Sequence, residues 1–332
     1  MRFSKTLKKV IETRPNAQEI ERGSISTEGG VNETSSNESA QFAVHELKFG
    51  RPATDFPEQA GRHAEAVAAP PHIQRYGVPA EVNPDKGSKE AKISGAFPSL
   101  VISPVSVHER LVAIREPDSS YAEDYRSLRT QLIHKKNETG VRSIVLLSFG
   151  PGEGKSVTAI NLAWLLAQTD GIKAALIDGD LRQPSIAEYL GQHDSFGLAE
   201  LMRNGNSFED AMTVLEPAGL HFIPGGVTRE DVAELISSSK FRDLHDTLVE
   251  RFDFTIIDAP PLSLFTDAAA MLEVADAGIL VIRANQVNYQ ALDRMMRTLP
   301  KEKLLAVVLN QSEEALIDRD YYYYANYRSS RM

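Results

Sequence analysis

From about residue 117 onward the apolar positions of the chain follow two periods in turn. Within Tyr121–Lys136 the residues Tyr125, Leu128 and Leu132 stand three and four apart, which predicts an amphipathic helix. Ser143–Ser148 (SIVLLS) is a short apolar run closed by a glycine cluster, the mark of a buried strand. Lys155–Gln168 returns to helical spacing, with Ile160, Ala163, Leu166 and Ala167 facing inward. The series continues with a strand at Ala174–Ile177, a helix, a strand at Leu220–Ile223, a helix through Leu235–Arg251 and a strand at Phe254–Ile257. A helix around Ala268–Glu273, a strand at Gly278–Ile282, a helix at Asn288–Thr298 and a strand at Leu304–Leu309 complete it. Strands alternating with helices predict an α/β fold, doubly wound, with a mostly parallel sheet and helices on both faces.

Upstream of residue 105 that order is absent. Nine of the 17 prolines lie between Pro15 and Pro104, and Ser24–Ser39 is almost wholly polar. Such sequence buries too little apolar area to offset chain entropy, so 23–104 is expected to be disordered or linker. Residues 1–22 can form a short amphipathic helix, with Phe3, Leu7, Val10 and Ile11 on one side and Lys5, Lys8 and Lys9 nearby. A fraying basic terminus accounts for them equally well. A folded unit is expected over 105–315 and a separate tail over 316–332.

Composition narrows the chemistry. The 332 residues include no cysteine, which excludes a disulfide scaffold, a thiolate metal site and cysteine catalysis. The formal charge of −10 argues against a nucleic-acid partner. No apolar run reaches the roughly 18 residues that cross a bilayer, and MRFSKTLKKV lacks a signal-peptide core, so a cytoplasmic protein is expected. The eight histidines show no zinc-binding spacing, and Trp164 is read as a packing residue.

The strand SIVLLS runs through Phe149-Gly150-Pro151-Gly152-Glu153-Gly154 into a helix that opens Lys155-Ser156-Val157. Glycines let successive N–H groups turn toward a phosphate chain, and the helix N-terminus adds partial positive charge. Lys155 is placed to reach the β/γ-phosphates of ATP and Ser156 to ligand Mg²⁺. Phe149 occupies the first glycine position of the strict phosphate-loop pattern, with Gly150 one residue later. Two acidic strand ends follow. Ala175–Arg182 (ALIDGDLR) carries Asp178 and Asp180 two residues apart, and Thr255–Pro261 (TIIDAPP) carries Asp258. In a doubly wound sheet such ends line one crevice, where ligands bind.

PGEGKS, LIDGDLRQP and IIDAPP, in that order, resemble the Walker A, A′ and B motifs of the bacterial tyrosine autokinases of capsule and exopolysaccharide assembly. The resemblance covers about Tyr121 to the C-terminus. It implies a P-loop tyrosine kinase using ATP and Mg²⁺, with nucleotide held by Gly150 to Val157. Asp180, Asp258 and Ser156 would hold the metal, and Asp178 would act as base toward the tyrosine hydroxyl. Asn310, ending the strand in VVLNQS, stands where the superfold often reads the adenine edge, though Asn at a strand end is also a common turn residue. Tyr321, Tyr322, Tyr323, Tyr324 and Tyr327 put half of the ten tyrosines in the last 12 residues, in a polar setting suited to an acceptor tail. Glu123, Arg126 and Arg129 resemble the family's E-x-x-R-x-x-R helix, which implies contact between subunits of a homo-oligomeric ring; a solvated salt-bridged face is the plainer reading.

The resemblance further implies autophosphorylation in trans, control of polysaccharide polymerisation and export, and other tyrosine-phosphorylated substrates. It also implies a separate transmembrane activator with a cytoplasmic tail, which recruits the kinase to the inner face of the membrane. Two rivals remain. One is a nucleotide-switched positioning ATPase of the same superfold; those carry a second lysine five residues before the main one, where this chain has Gly150. The other is a non-catalytic nucleotide-binding scaffold. The segment before Leu235 lacks the family's Asn-Pro, having Arg229-Glu230-Asp231 instead.

Overall fold

The computed structural model describes residues 97–311, apart from 194–195, 205, 228–230 and 285, together with the backbone of 43–46. The expected N-terminal helix, the tyrosine tail and most of the 23–104 stretch lie outside the described residues. In chain order the first elements are β1 (Ala43–Glu46), β2 (Ser99–Val101), α1 (Val112–Arg115), α2 (Ser120–Thr139), β3 (Ser143–Ser148) and α3 (Lys155–Ala167). Next come β4 (Ala174–Asp178), α4 (Ile186–Tyr189), α5 (Leu198–Asn204), β5 (Thr213–Glu216) and β6 (Leu220–Ile223). The series closes with α6 (Val232–Ile236), α7 (Ser239–Arg251), β7 (Phe254–Asp258), α8 (Asp267–Val274), β8 (Ala277–Arg283), α9 (Tyr289–Met296) and β9 (Leu304–Asn310).

The nine strands form one sheet in the order β1-β9-β8-β3-β7-β4-β6-β5-β2, parallel except where β5 runs against β6. Its centre is apolar on both faces, because each strand there alternates its side chains between two cores. Ile144 and Leu146 of β3 join Leu176 of β4 and Ile256 of β7 beneath α2 and α3. Val145 and Leu147 join Ile177 and Ile257 beneath α7, α8 and α9. Helix α3 is buried nearly all round, and Trp164 is a packing residue within it, 2% exposed.

Four features differ from the sequence expectation. Two strands fall inside the expected linker: β1 pairs with β9, and β2 pairs with β5. Ile102 is buried beside β2, and Phe97 packs edge-on to His221 with centroids 5.4 Å apart. Residues 97–104, ahead of the expected boundary at 105, thus pack as part of the same unit. Strand β5 (TVLE) is too short and too polar to announce itself. Finally, the helix predicted through Leu235–Arg251 is two helices, because the Ser238 hydroxyl accepts the Phe241 N–H and starts α7 afresh. Among the described residues no helix is long and apolar enough to cross a membrane.

Candidate active site

The site lies at the C-terminal ends of β3, β4 and β7, which are adjacent in the sheet. Register does the placing: Asp178 of β4 pairs directly with Asp258 of β7. Both carboxylates are fully buried. The phosphate loop bends between β3 and α3, and Gly154, the residue before Lys155, has φ of +90°. A Cβ there would also collide with the amide of Asn310, so side-chain space and backbone conformation both demand glycine.

Lys155, only 6% exposed, donates to Asp258 Oδ1 at 2.6 Å and lies 3.3 Å from the Ser156 hydroxyl. This pair closes the loop onto β7 across 103 residues of sequence. The other oxygen, Asp258 Oδ2, is buried and has no hydrogen-bond partner among the described residues. A buried acceptor in that state is unfavourable unless a cation or donor completes it. Asp180, 8% exposed, and the half-buried Ser156 complete a donor set that fits Mg²⁺, which takes few protein oxygens and fills its shell with phosphate and water. Among the described residues no three acidic or histidine side chains form an all-protein metal cage.

Asp178 is held from both sides. Its Oδ1 accepts the Asp180 N–H at 3.2 Å, and its Oδ2 accepts the N–H groups of Ser185 and Ile186 at 3.0 Å each. Burial, with the negative charge of Asp258 beside it, raises its pKa to about 8 despite those donors. Burial also raises the pKa of Asp180, and Lys155 opposes that shift.

Glu153 has a role that sequence reading missed. Its carboxylate turns back and accepts the Phe149 N–H at 2.8 Å, bracing the loop from within the protein. Burial pushes its pKa up to about 7. Its carbonyl in turn accepts the Asn310 amide at 2.8 Å. Asn310 also accepts the Gln311 N–H through its own side-chain oxygen, so this residue braces the loop. Arg182, quoted in the second acidic motif but given no role, pairs with the buried Asp267 at 2.6 Å and lies over the Phe265 ring at 4.3 Å. The only sequence signal for Asp267 was an acidic residue at a helix start.

On α2, Arg126 donates to Glu123 at 2.9 Å and to the Pro117 carbonyl, as in an ordinary salt-bridged face. Arg129 differs, because its Nε is buried with no hydrogen-bond partner among the described residues. Tyr321, Tyr322, Tyr323, Tyr324 and Tyr327 lie outside the described residues.

A family model described as an AAA domain matches residues 141–312, just over half the chain. The CapB protein of Staphylococcus aureus is 31% identical over 227 residues, covering 67% of this chain and 95% of CapB. Tyrosine-protein kinase YwqD of Bacillus subtilis (strain 168) is 32% identical over 206 residues, covering 61% of this chain and 86% of YwqD. The crystal structure of the chimerical protein CapA2B2 superposes with a TM-score of 0.58 at 30% identity, over 65% of this chain and 95% of that one. With a Lys–Asp pair on a phosphate loop, three carboxylates at adjoining strand ends, and kinases among relatives matched over most of their own length, the chain belongs to the bacterial tyrosine-kinase family and is a protein-tyrosine kinase.

Proposed function

We propose that this kinase transfers the γ-phosphoryl group of ATP to the tyrosines of its own tail, subunit to subunit, within an assembly that governs capsule or exopolysaccharide polymerisation and export. The observation that carries the site is the pairing of Asp178 with Asp258, which sets two buried carboxylates and Lys155 at one point. Gly150, Pro151, Gly152, Glu153, Gly154, Lys155, Ser156 and Val157 cradle the phosphates through loop N–H groups and the helix N-terminus. Lys155 leaves Asp258 for the β/γ-phosphates as these enter. Ser156, Asp180 and Asp258 would hold Mg²⁺, which neutralises phosphate charge when bound. Asp178 takes the proton of the acceptor hydroxyl. Its Oδ1 accepts a single N–H and so keeps a lone pair for that proton. Phosphoryl transfer asks for little more than this positioning and charge neutralisation.

Tyr321, Tyr322, Tyr323, Tyr324 and Tyr327 are the acceptors in this reading. Glu123, Arg126 and Arg129 face the neighbouring subunit, and a separate transmembrane protein with a cytoplasmic tail recruits and activates the kinase. Incubation with Mg-ATP followed by phosphosite mapping tests the reading. Phosphate is expected on the tail tyrosines of the natural chain and on none in Lys155→Met, whose fold should be intact by circular dichroism. Unchanged phosphotyrosine in that variant would remove Lys155 from the site.

A further inference from the structure

Transfer needs the phosphate loop and Asp178 held in a fixed relation, yet they stand on different elements. Lys155 and Ser156 open α3, whereas Asp178 ends β4 and is bonded to the N–H groups of Ser185 and Ile186 at the start of α4. Residues 106–116, just ahead of α2, bond to both helices. On α3 the contact is Asn161, fully buried and six residues past Lys155, a rise of about 9 Å. Its side-chain oxygen accepts the Ala113 N–H at 2.9 Å, and its NH₂ donates to the carbonyls of Arg110 at 3.1 Å and Val157 at 2.9 Å. On α4 the carbonyl of Tyr189 accepts the His108 N–H at 2.8 Å, and the two rings meet edge-on with centroids 4.7 Å apart. Gly191, just past α4, has φ of +71°, and a Cβ there would meet the Ser106 carbonyl oxygen at 2.7 Å.

The segment is stiff enough to act as a strap. Arg115 donates to the Val107 carbonyl and the Leu111 N–H to the His108 carbonyl, each at 3.0 Å. Val107 and Leu111 are buried in the core that also holds Ile160 of α3 and Ile186 and Leu190 of α4. A buried amide costs stability unless its bonds are made. Two of the three bonds of Asn161 leave its own helix for the strap, so the residue joins two elements rather than supporting one.

We propose that Asn161 and His108 are positioning residues, which tie α3 and α4 to one strap and so hold the phosphate loop against Asp178 for transfer. Misplacing reacting groups by about 1 Å can cost on the order of a hundredfold in rate. Nucleotide affinity rests on the loop and the start of α3 and should be spared. This deepens the proposed function and rests on Asp178 as the base. The full chain is tested by amide hydrogen exchange and by tyrosine phosphorylation in Mg-ATP. Asn161→Ala cuts the strap from α3. The peptide holding Ser185 and Ile186, on the other helix, should then exchange faster, and kcat should fall roughly tenfold or more. The KM for ATP and the affinity for a fluorescent ADP analogue should hold. His108→Ala, at an exposed position, should lower kcat in the same selective way with the fold intact, and His108→Phe, which keeps a ring against Tyr189, should restore it. Faster exchange confined to 107–116 and α3, or a natural kcat in both alanine variants well below their melting temperatures, would overturn the assignment. If Asp178 is not the base, Asp178→Asn transfers phosphate normally while the exchange at Ser185 and Ile186 still reports on the strap, so the two readings fail separately.

Discussion

Asp178 shows how local bonding limits what a substitution can do. Its two oxygens accept three N–H groups, whereas an Asn can accept on one side only and turns its NH₂ toward a donor on the other. Asp178→Asn should therefore destabilise the fold by about 1–3 kcal/mol. It should also slow phosphate transfer by roughly 10²–10⁴ while leaving Mg-ADP affinity nearly unchanged. Denaturant unfolding, single-turnover transfer and ADP titration on one preparation check all three; normal transfer would move the base elsewhere. Glu153 gives a pH signature. Its folded pKa, near 7, lies above the ordinary glutamate value, so the folded chain holds a proton that the unfolded chain has released. Its contribution to stability is then present at low pH and lost as pH rises through about 7. Glu153→Gln keeps an oxygen for the Phe149 N–H without the charge. Its melting temperature, relative to the natural chain, should rise by a few degrees between pH 5 and pH 8, and a constant difference across that range would disprove the assignment.

At the scale of elements, the edge strand β2 extends the packed unit upstream of residue 105. Phe97, Leu100 and Ile102 pack on the core, and β2 covers the outer edge of β5. A chain beginning at 97 and one beginning at 105 differ only in this strand and its flanks. The shorter one loses a buried Ile and most of a Phe, worth on the order of 2–4 kcal/mol, and bares a sheet edge prone to self-pairing. The longer form should melt higher and remain monodisperse where the shorter aggregates. Equal melting temperatures and equal light scattering would return the boundary to 105.

The whole molecule adds assembly. Arg126 is already engaged with Glu123 and the Pro117 carbonyl, but Arg129 holds a buried Nε with no hydrogen-bond partner among the described residues. In the proposed ring Arg126 must leave Glu123 and Pro117 to reach the neighbouring subunit, whereas among the described residues Arg129 has no such bonds to break. Arg129→Ala should slow tail phosphorylation more than Arg126→Ala does, and the gap should close at high protein concentration, where assembly is driven by mass action. Light scattering and initial rates over a concentration series check this; equal losses at every concentration would favour a solvated face. Each phosphotyrosine adds about −1.5 to −2 charges to a chain already at −10, so phosphorylated tails should loosen the assembly.

Short-range pattern was enough to place most of the strands and helices, the phosphate loop and the three acidic strand ends. A strand between glycines, or a helix that opens Lys-Ser, is written in neighbouring residues. The prediction failed where pattern is weak: β2 has three residues, β5 is half polar, and the break before α7 depends on one serine cap. The working relations of the site are long-range and belong to the tertiary structure. Strand order set β4 between β6 and β7, and register set Asp178 opposite Asp258. Packing then joined Lys155 to Asp258, Arg182 to Asp267 and Asn310 to the loop, over separations of 103, 85 and 157 residues. No local periodicity encodes such pairs, because their energy exists only once the sheet has brought the strand ends together.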